Sequence, residues 1–246
     1  MLKKIKHVLL LPFEDFLSGL DRCLAKSAPG NILLVVVIFI ISWWIYVPVH
    51  ELCHAFGCML GGGTVTELEI SPKYGGAVLE KVFPFVSSGS DYAGQLTGFD
   101  TGGSDITYLL TVFFPFLLTI FIGVPLLRSV PRSSPRAASI KLGISLPIAF
   151  APFISFSGDY YEMGSIIISR LAALISPSPD IGRWRSDDLF KLSEGLFFSG
   201  GRYGAGDIAG VIISFVLGIV LIYSTYLLGV LWSRTISNIY NTRTSQ

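Results

Sequence analysis

Charge is scarce in this sequence. Asp, Glu, Lys and Arg make up 14% of its 246 residues, against about 25% in a typical soluble domain. A soluble fold of this length cannot cover its surface with so few charges. A disordered chain would carry more charge and less apolar content. The net charge is +1 and no long basic run exists, which argues against a nucleic-acid partner held through its phosphates. Three cysteines, Cys23, Cys53 and Cys58, do not make a disulfide framework. Histidine is equally rare, with three in the whole chain. The basic start MLKKIKHVLLLPFED has a very short apolar core and no small-residue cleavage site, so a cleaved leader is not expected.

What fills the chain instead is apolar sequence, 51% of residues, with a mean hydropathy of +0.64. A bilayer core about 30 Å thick needs about 20 apolar residues per helix. Four stretches meet or approach that need, at about 30–60, 106–128, 141–170 and 207–233. The expected fold is therefore an all-α polytopic membrane protein with about four transmembrane helices. Residues 1–28 read as an interfacial segment, 29–233 as a single membrane-embedded domain, and 234–246 as a polar tail. Lys and Arg crowd the N-terminal segment and the short connection holding Arg128, Arg132, Arg136 and Lys141. The positive-inside rule then places both termini in the cytoplasm.

Local signals refine this outline. TVTELEI alternates loosely, and GGAVLEKVF follows the turn-rich SPKY, which predicts a small β-hairpin over Thr64 to Phe85. Ser87 to Ser104 is rich in Gly, Ser and Asp and reads as loop. Phe114-Pro115-Phe116 predicts a kink in the second span. Gly57 and Gly61 have the spacing of a small-residue helix contact. Ser186, Asp187 and Asp188 precede a short amphipathic helix to Leu196.

The first span ends in His50-Glu51-Leu52-Cys53-His54, an H-E-x-x-H sequence. Positions i and i+4 of a helix project from one face, so two imidazoles can grip one Zn²⁺. Glu51 lies near that face and can take and return a proton of water. Two of the chain's three histidines sit in this motif. Ionisable groups inside a span are costly, so three within five residues demand a function. His7, among lysines, reads as interfacial.

A catalytic zinc usually takes three protein ligands and leaves one position open. Asp159 is the leading third ligand, because it interrupts the third apolar stretch with no local Lys or Arg to pair it. Its depth agrees. His50 lies about 31 Å along a helix from Pro29, and Asp159 about 27 Å from Lys141. Glu162, one turn further on nearly the same face, is the alternative ligand or a partner to the ligands. Glu80 has a spacing from His54 seen in soluble zinc proteases but falls in the expected hairpin. Cys58 would stack a third ligand on one straight helix, which fits a tetrahedron poorly, and reads as packing.

These residues resemble the site-2 protease family of intramembrane zinc metalloproteases. The likeness rests on H-E-L-C-H-A at the end of a span, the cluster Gly61-Gly62-Gly63, Gly75-Gly76 in the expected hairpin, and an Asp in a later span. It covers roughly residues 30 to 170. The resemblance implies one zinc ion held by His50, His54 and an Asp, with Glu51 as catalytic base, acting on a transmembrane protein or peptide. The chain would be a divergent member. The family carries Asn-x-x-Pro-x-Pro-x-Leu-Asp-Gly around its Asp ligand, whereas here Gly158 precedes Asp159 and the Asn is absent. An edge strand of the hairpin could hold unwound substrate by strand addition. The alternative function is a catalytically inactive or transport-type membrane protein with a metal site. The lack of charge in spans two and four counts against transport. Oligomeric state is not legible.

Overall fold

A computed structural model of the chain describes residues 2–25, 29–175, 182–197 and 204–244. The ends of the expected interfacial segment (26–28) and polar tail (245–246) lie outside the described residues.

Helix α1, Leu2–Leu24, has three faces. Leu11, Gly19 and Cys23 are buried. Ile5, Leu9, Phe13 and Leu17, spaced four apart, form an exposed apolar stripe. Lys3, Glu14 and Ser18 are exposed on the remaining side. That is the pattern of a helix lying in a membrane interface. His7 is on the polar side, 3.5 Å from Glu14.

Among the described residues, helix α2, Pro29–Leu60, is the first of two helices long and apolar enough to cross a membrane, the other being Ala205–Ile239. Pro29 opens α2 where its missing N–H costs nothing, and Pro48 is absorbed without ending the helix. Leu33, Val36, Val37, Ile40 and Ile41 are exposed along it, an apolar face suited to lipid rather than water.

The segment after α2 departs from the expected hairpin. Strand β1, Thr64–Ile70, forms as read, but its continuation does not return as a strand. Pro72–Tyr74 makes a tight turn, and Gly75 takes a left-handed φ of +84°. Gly76–Leu79 then forms a short helix, α3. A methyl group on Gly76 would lie 2.1 Å from the Ile70 carbonyl oxygen, so the chain folds back onto β1 too tightly for any other residue. The partners of β1 are β2, Val86–Ser88, and β3, Gly94–Asp100, inside the stretch read as loop. The sheet order is β2-β1-β3. β2 runs parallel to β1 and β3 antiparallel to it. The glycines that made β3 look like a loop are close-approach positions: a Cβ on Gly98 would meet Glu67, and one on Gly94 would meet Glu51.

Helix α4, Asp105–Phe113, is capped by the Ser104 hydroxyl, which accepts from the Thr107 N–H. Past Pro115 follow α5, Phe116–Leu118, a wide turn over Thr119–Gly123, and α6, Val124–Ser129. The whole piece Phe116–Arg132 is bent by 51° from α4, the kink expected at Pro115. As one bent unit it would be a third span. The third apolar stretch is broken rather than continuous. Helix α7 covers Pro135–Ala149, α8 Ala151–Ile154 and α9 Asp159–Ile175. Pro152 and the turn through Gly158 separate the pieces, so Asp159 starts a helix instead of sitting within one. Helix α10 is Leu189–Phe197, with Asp188 Oδ1 accepting from the N–H groups of Phe190 and Lys191. Helix α11, Ala205–Thr244, carries the fourth apolar stretch and continues through the region read as tail.

Three packed layers result. At one end α1, α6, α7 and α11 bury Leu11, Leu127, Leu142 and Tyr226. There Arg128 binds Asp15 at 2.6 and 2.8 Å, and Tyr226 donates to the same carboxylate at 2.9 Å. The middle layer holds Tyr46, Phe116, Tyr160 and Met163. The far layer joins α2 to the sheet through Leu52, Ala55, Leu68 and Ile70. Glycines let the helices meet: α2 crosses α4 at Gly57, as its spacing suggested. Likewise α9 crosses α11 where a Cβ on Gly164 would lie 2.2 Å from the Ser214 carbonyl oxygen. Gly164→Ala should therefore force two backbones apart and cost about 1–3 kcal/mol. Gly206→Ala, with open space around it, should not. Thermal unfolding of the two variants in detergent would show a lower midpoint for the first alone; equal midpoints would contradict a tight crossing.

Candidate metal centre

His50 and His54 lie one turn apart on α2, about 15 Å and about 9 Å from its C-terminal end. Asp159 is the first residue of α9. The fold brings the three together with all candidate ligand atoms within 4.8 Å of one another. His50 Nε2 is 3.1 Å from His54 Nε2 and 3.5 Å from Asp159 Oδ2, and His54 Nε2 is 3.7 Å from Asp159 Oδ1. A tetrahedral ion with bonds of about 2.0–2.1 Å sets its ligands about 3.3 Å apart. The observed spacings bracket that value. Two imidazoles and one carboxylate in this arrangement could hold a divalent ion.

Each ligand is held from behind. Tyr46, one turn before His50 on α2, places its hydroxyl 2.9 Å from His50 Nδ1. His54 Nδ1 is 2.9 Å from the Thr111 carbonyl oxygen of α4, to which it can only donate. Both contacts occupy Nδ1 and leave Nε2 for coordination. The Ser155 hydroxyl donates to Asp159 Oδ2 at 2.8 Å. Phe116 packs edge-on against the His50 ring, 5.6 Å between centroids.

The cluster opens on a cavity of about 460 Å³. Its walls are the HExxH turn of α2, strand β3, and helices α4 and α9, with Asp187, Asp188 and Lys191 around its rim. Glu51 lines it and is pressed by Gly94, where a Cβ would approach the Glu51 Cγ to 2.5 Å. So β3 lies directly against the carboxylate that follows His50. Because β3 is at the end of the order β2-β1-β3, one of its hydrogen-bonding edges has no partner strand among the described residues.

Helices α4 and α9 are cross-linked by polar pairs leading away from the metal ligands. Thr111 serves His54 beside Asp159. One turn on, the Tyr108 hydroxyl donates to Glu162 Oε1 at 2.5 Å. One turn further, Arg185 binds Asp105 bidentately at 2.9 and 3.1 Å and reaches Ser169 of α9. Glu162, the alternative ligand of the sequence reading, is buried in the cavity wall but bonded to Tyr108, and it lies outside the three-residue cluster. Glu80 is exposed and does not line the cavity. Cys58 is buried with Sγ turned to the Thr64 carbonyl oxygen at 3.7 Å, as packing requires.

Tyr46, Ser155, Thr111, Tyr108 and Gly94 were not picked out from the sequence. Tyr46 and Ser155 each stand four residues before a ligand, so helical spacing could have pointed to them. Thr111 acts through its backbone, and Tyr108 and Gly94 act across elements; one-dimensional spacing carries no signal for these. Comparison of the chain with protein-family models, with curated proteins and with solved structures gives no match.

If Tyr46 fixes the His50 ring for metal binding, Tyr46→Phe should weaken divalent-metal affinity about 10- to 100-fold, while Cys58→Ser leaves it unchanged. Competition against a chromophoric chelator measures both. Equal affinity in Tyr46→Phe and the parent would remove Tyr46 from the site.

Proposed function

We propose that the chain is a zinc-dependent intramembrane endopeptidase, a divergent relative of the site-2 proteases. The observation that carries this reading is the convergence of His50, His54 and Asp159 beside Glu51 in a cavity within an apolar bundle. A carboxylate and two imidazoles are an expensive set to keep in such surroundings without a counter-charge. Zinc is the ion best matched to two nitrogens, one oxygen and tetrahedral spacing.

When bound, zinc supplies Lewis acidity toward water and toward a carbonyl oxygen. The chain's own residues do the rest. The His50 and His54 rings are pinned through Nδ1, so the ion's position is set by the helix rather than by side-chain rotamers. Glu51 takes one proton from the attacking water as its oxygen bonds to the carbonyl carbon. When the C–N bond breaks, the amine leaves with the bonding pair and receives that proton. Gly94 holds the Glu51 stem in place and leaves no room for it to swing toward β3.

A helical substrate hides its carbonyls, so the segment to be cut must be extended. The free edge of β3, rather than the second half of Thr64–Phe85, borders the cavity and suits strand addition. Substrates are accordingly transmembrane proteins or peptides reached within the lipid bilayer. The multi-pass reading, with about four spans and both termini cytoplasmic, is supported by two long apolar helices, the bent pair around Pro115, and the Lys and Arg distribution.

The test is to purify the protein in detergent and measure zinc content and cleavage of fluorescein-labelled casein. Glu51→Gln should keep about one zinc per chain and lose cleavage by several orders of magnitude. Asp159→Ala should lose both. A parent protein that binds no zinc would end the proposal, and zinc lost from Glu162→Ala but kept by Asp159→Ala would move the third ligand.

A further inference from the structure

Peptide hydrolysis places negative charge on the carbonyl oxygen as water adds, and a site within an apolar bundle needs a fixed donor to stabilise it. The donor must come from a group that lines the cavity. Its candidates can be sorted by what each would leave unpaired on turning to a substrate. The Thr111 hydroxyl donates to the Thr107 carbonyl oxygen of its own helix at 2.8 Å, and the Ser155 hydroxyl steadies Asp159, whereas the acceptor of the Tyr108 hydroxyl, Glu162, itself lines the cavity and can take a donor from a bound peptide instead. Lys191 stands on the rim, 3.7 Å from Asp187 and 5.5 Å from the Tyr92 ring centroid. Tyr92 itself is 59% exposed. Gln95 follows Gly94 on β3, and successive strand residues leave from opposite faces. Gln95 also lines the cavity, but Gly94 is the one turned to Glu51, so the Gln95 side chain starts on the face away from it.

Tyr108 remains. It lies one turn from Thr111, whose carbonyl holds His54, and its ring packs against Phe99 of β3 with 5.5 Å between centroids. Its hydroxyl is held by Glu162, one turn from Asp159. The phenol is thus bracketed by the metal ligands on one side and the free strand on the other.

On the peptidase reading, we infer that Tyr108 is a further catalytic residue, donating the hydrogen bond that stabilises the oxyanion on the scissile carbonyl, with Glu162 as the group that aims it. In the free protein the phenol proton is directed at Glu162. A peptide entering along β3 offers an exchange. The carbonyl oxygen accepts from Tyr108, and a neighbouring backbone N–H donates to Glu162 in its place. As the water oxygen bonds to carbon, the carbonyl π pair moves onto oxygen and the hydrogen bond from Tyr108 strengthens. The pair returns to the C–O bond as the C–N bond breaks, so Tyr108 keeps its proton throughout.

The experiment uses the full chain in detergent and compares Tyr108→Phe, Glu162→Gln and Gln95→Leu for zinc content, casein cleavage and binding of a capped leucyl phosphinic pseudopeptide, a stable tetrahedral anion. Tyr108→Phe should keep zinc, lower kcat by about 10²–10³ with KM changed less than threefold, and weaken phosphinate binding by about tenfold to a hundredfold. Glu162→Gln, which retains an acceptor oxygen, should lose less than Tyr108→Phe on both readouts. Gln95→Leu should lose less than Tyr108→Phe on both readouts. An active parent whose Tyr108→Phe variant keeps kcat and phosphinate affinity within threefold would overturn the assignment, as would the larger loss falling on Gln95→Leu. A parent that holds zinc but cleaves nothing is a different result: it ends the peptidase reading and this one with it.

Discussion

Everything in this molecule is arranged around one carboxylate that cannot be left alone. Asp159 faces two imidazoles in the middle of an apolar bundle, and an isolated ionised group in such a medium costs several kcal/mol or more. The two histidines come from the first long helix and the aspartate from the start of a helix about a hundred residues later. Bringing them together therefore fixes how α2, α4 and α9 pack. The contacts behind the ligands show the same constraint. Each of the three is bound by a polar group from its own helix, a helix packed against it or the turn just before it, so the polar cost is met locally and the surrounding layers can stay apolar.

The packing that permits this is built from absences of side chain. Gly57 lets α4 approach α2 closely enough for the Thr111 carbonyl to reach His54. Gly164 and Gly218 do the same for α9 and α11. Without a hydrophobic driving force between helices in lipid, such close backbone approach is a principal source of association. The sheet follows the same rule at Gly94, where the strand and the HExxH turn touch without an intervening methyl group.

The part of the site written in local spacing was legible. His50, Glu51 and His54 are tied by the helical repeat, and Asp159 stood out as a carboxylate with no nearby cation in an apolar run. The Pro115 kink and the Gly57 contact were readable because each depends on one residue's chemistry. What was not readable depends on what comes near in space. Gly94 and Gly98 have the composition of a loop, yet they are strand residues kept bare by Glu51 and Glu67. GGAVLEKVF reads loosely as a strand, but the tight turn at Gly75 leaves its first half no partner to pair with. The third apolar run looked continuous because Pro152 and Gly158 are tolerated in membrane helices; here they break it so that Asp159 can open a new helix. Tyr108 gave no sign because its partner, Glu162, is 54 residues away.

Helix α11 has 40 residues, about 60 Å at 1.5 Å per residue, roughly twice the hydrocarbon thickness of a bilayer. A helix of that length is longer than a bilayer crossing requires. It is clamped to α1 through Tyr226 and Asp15. Further in, Gly218 rests against the backbone of Tyr160, the neighbour of Asp159. One continuous helix therefore ties the Asp15 clamp at one end of the bundle to the backbone of the residue that follows Asp159, so those two places share a single rod.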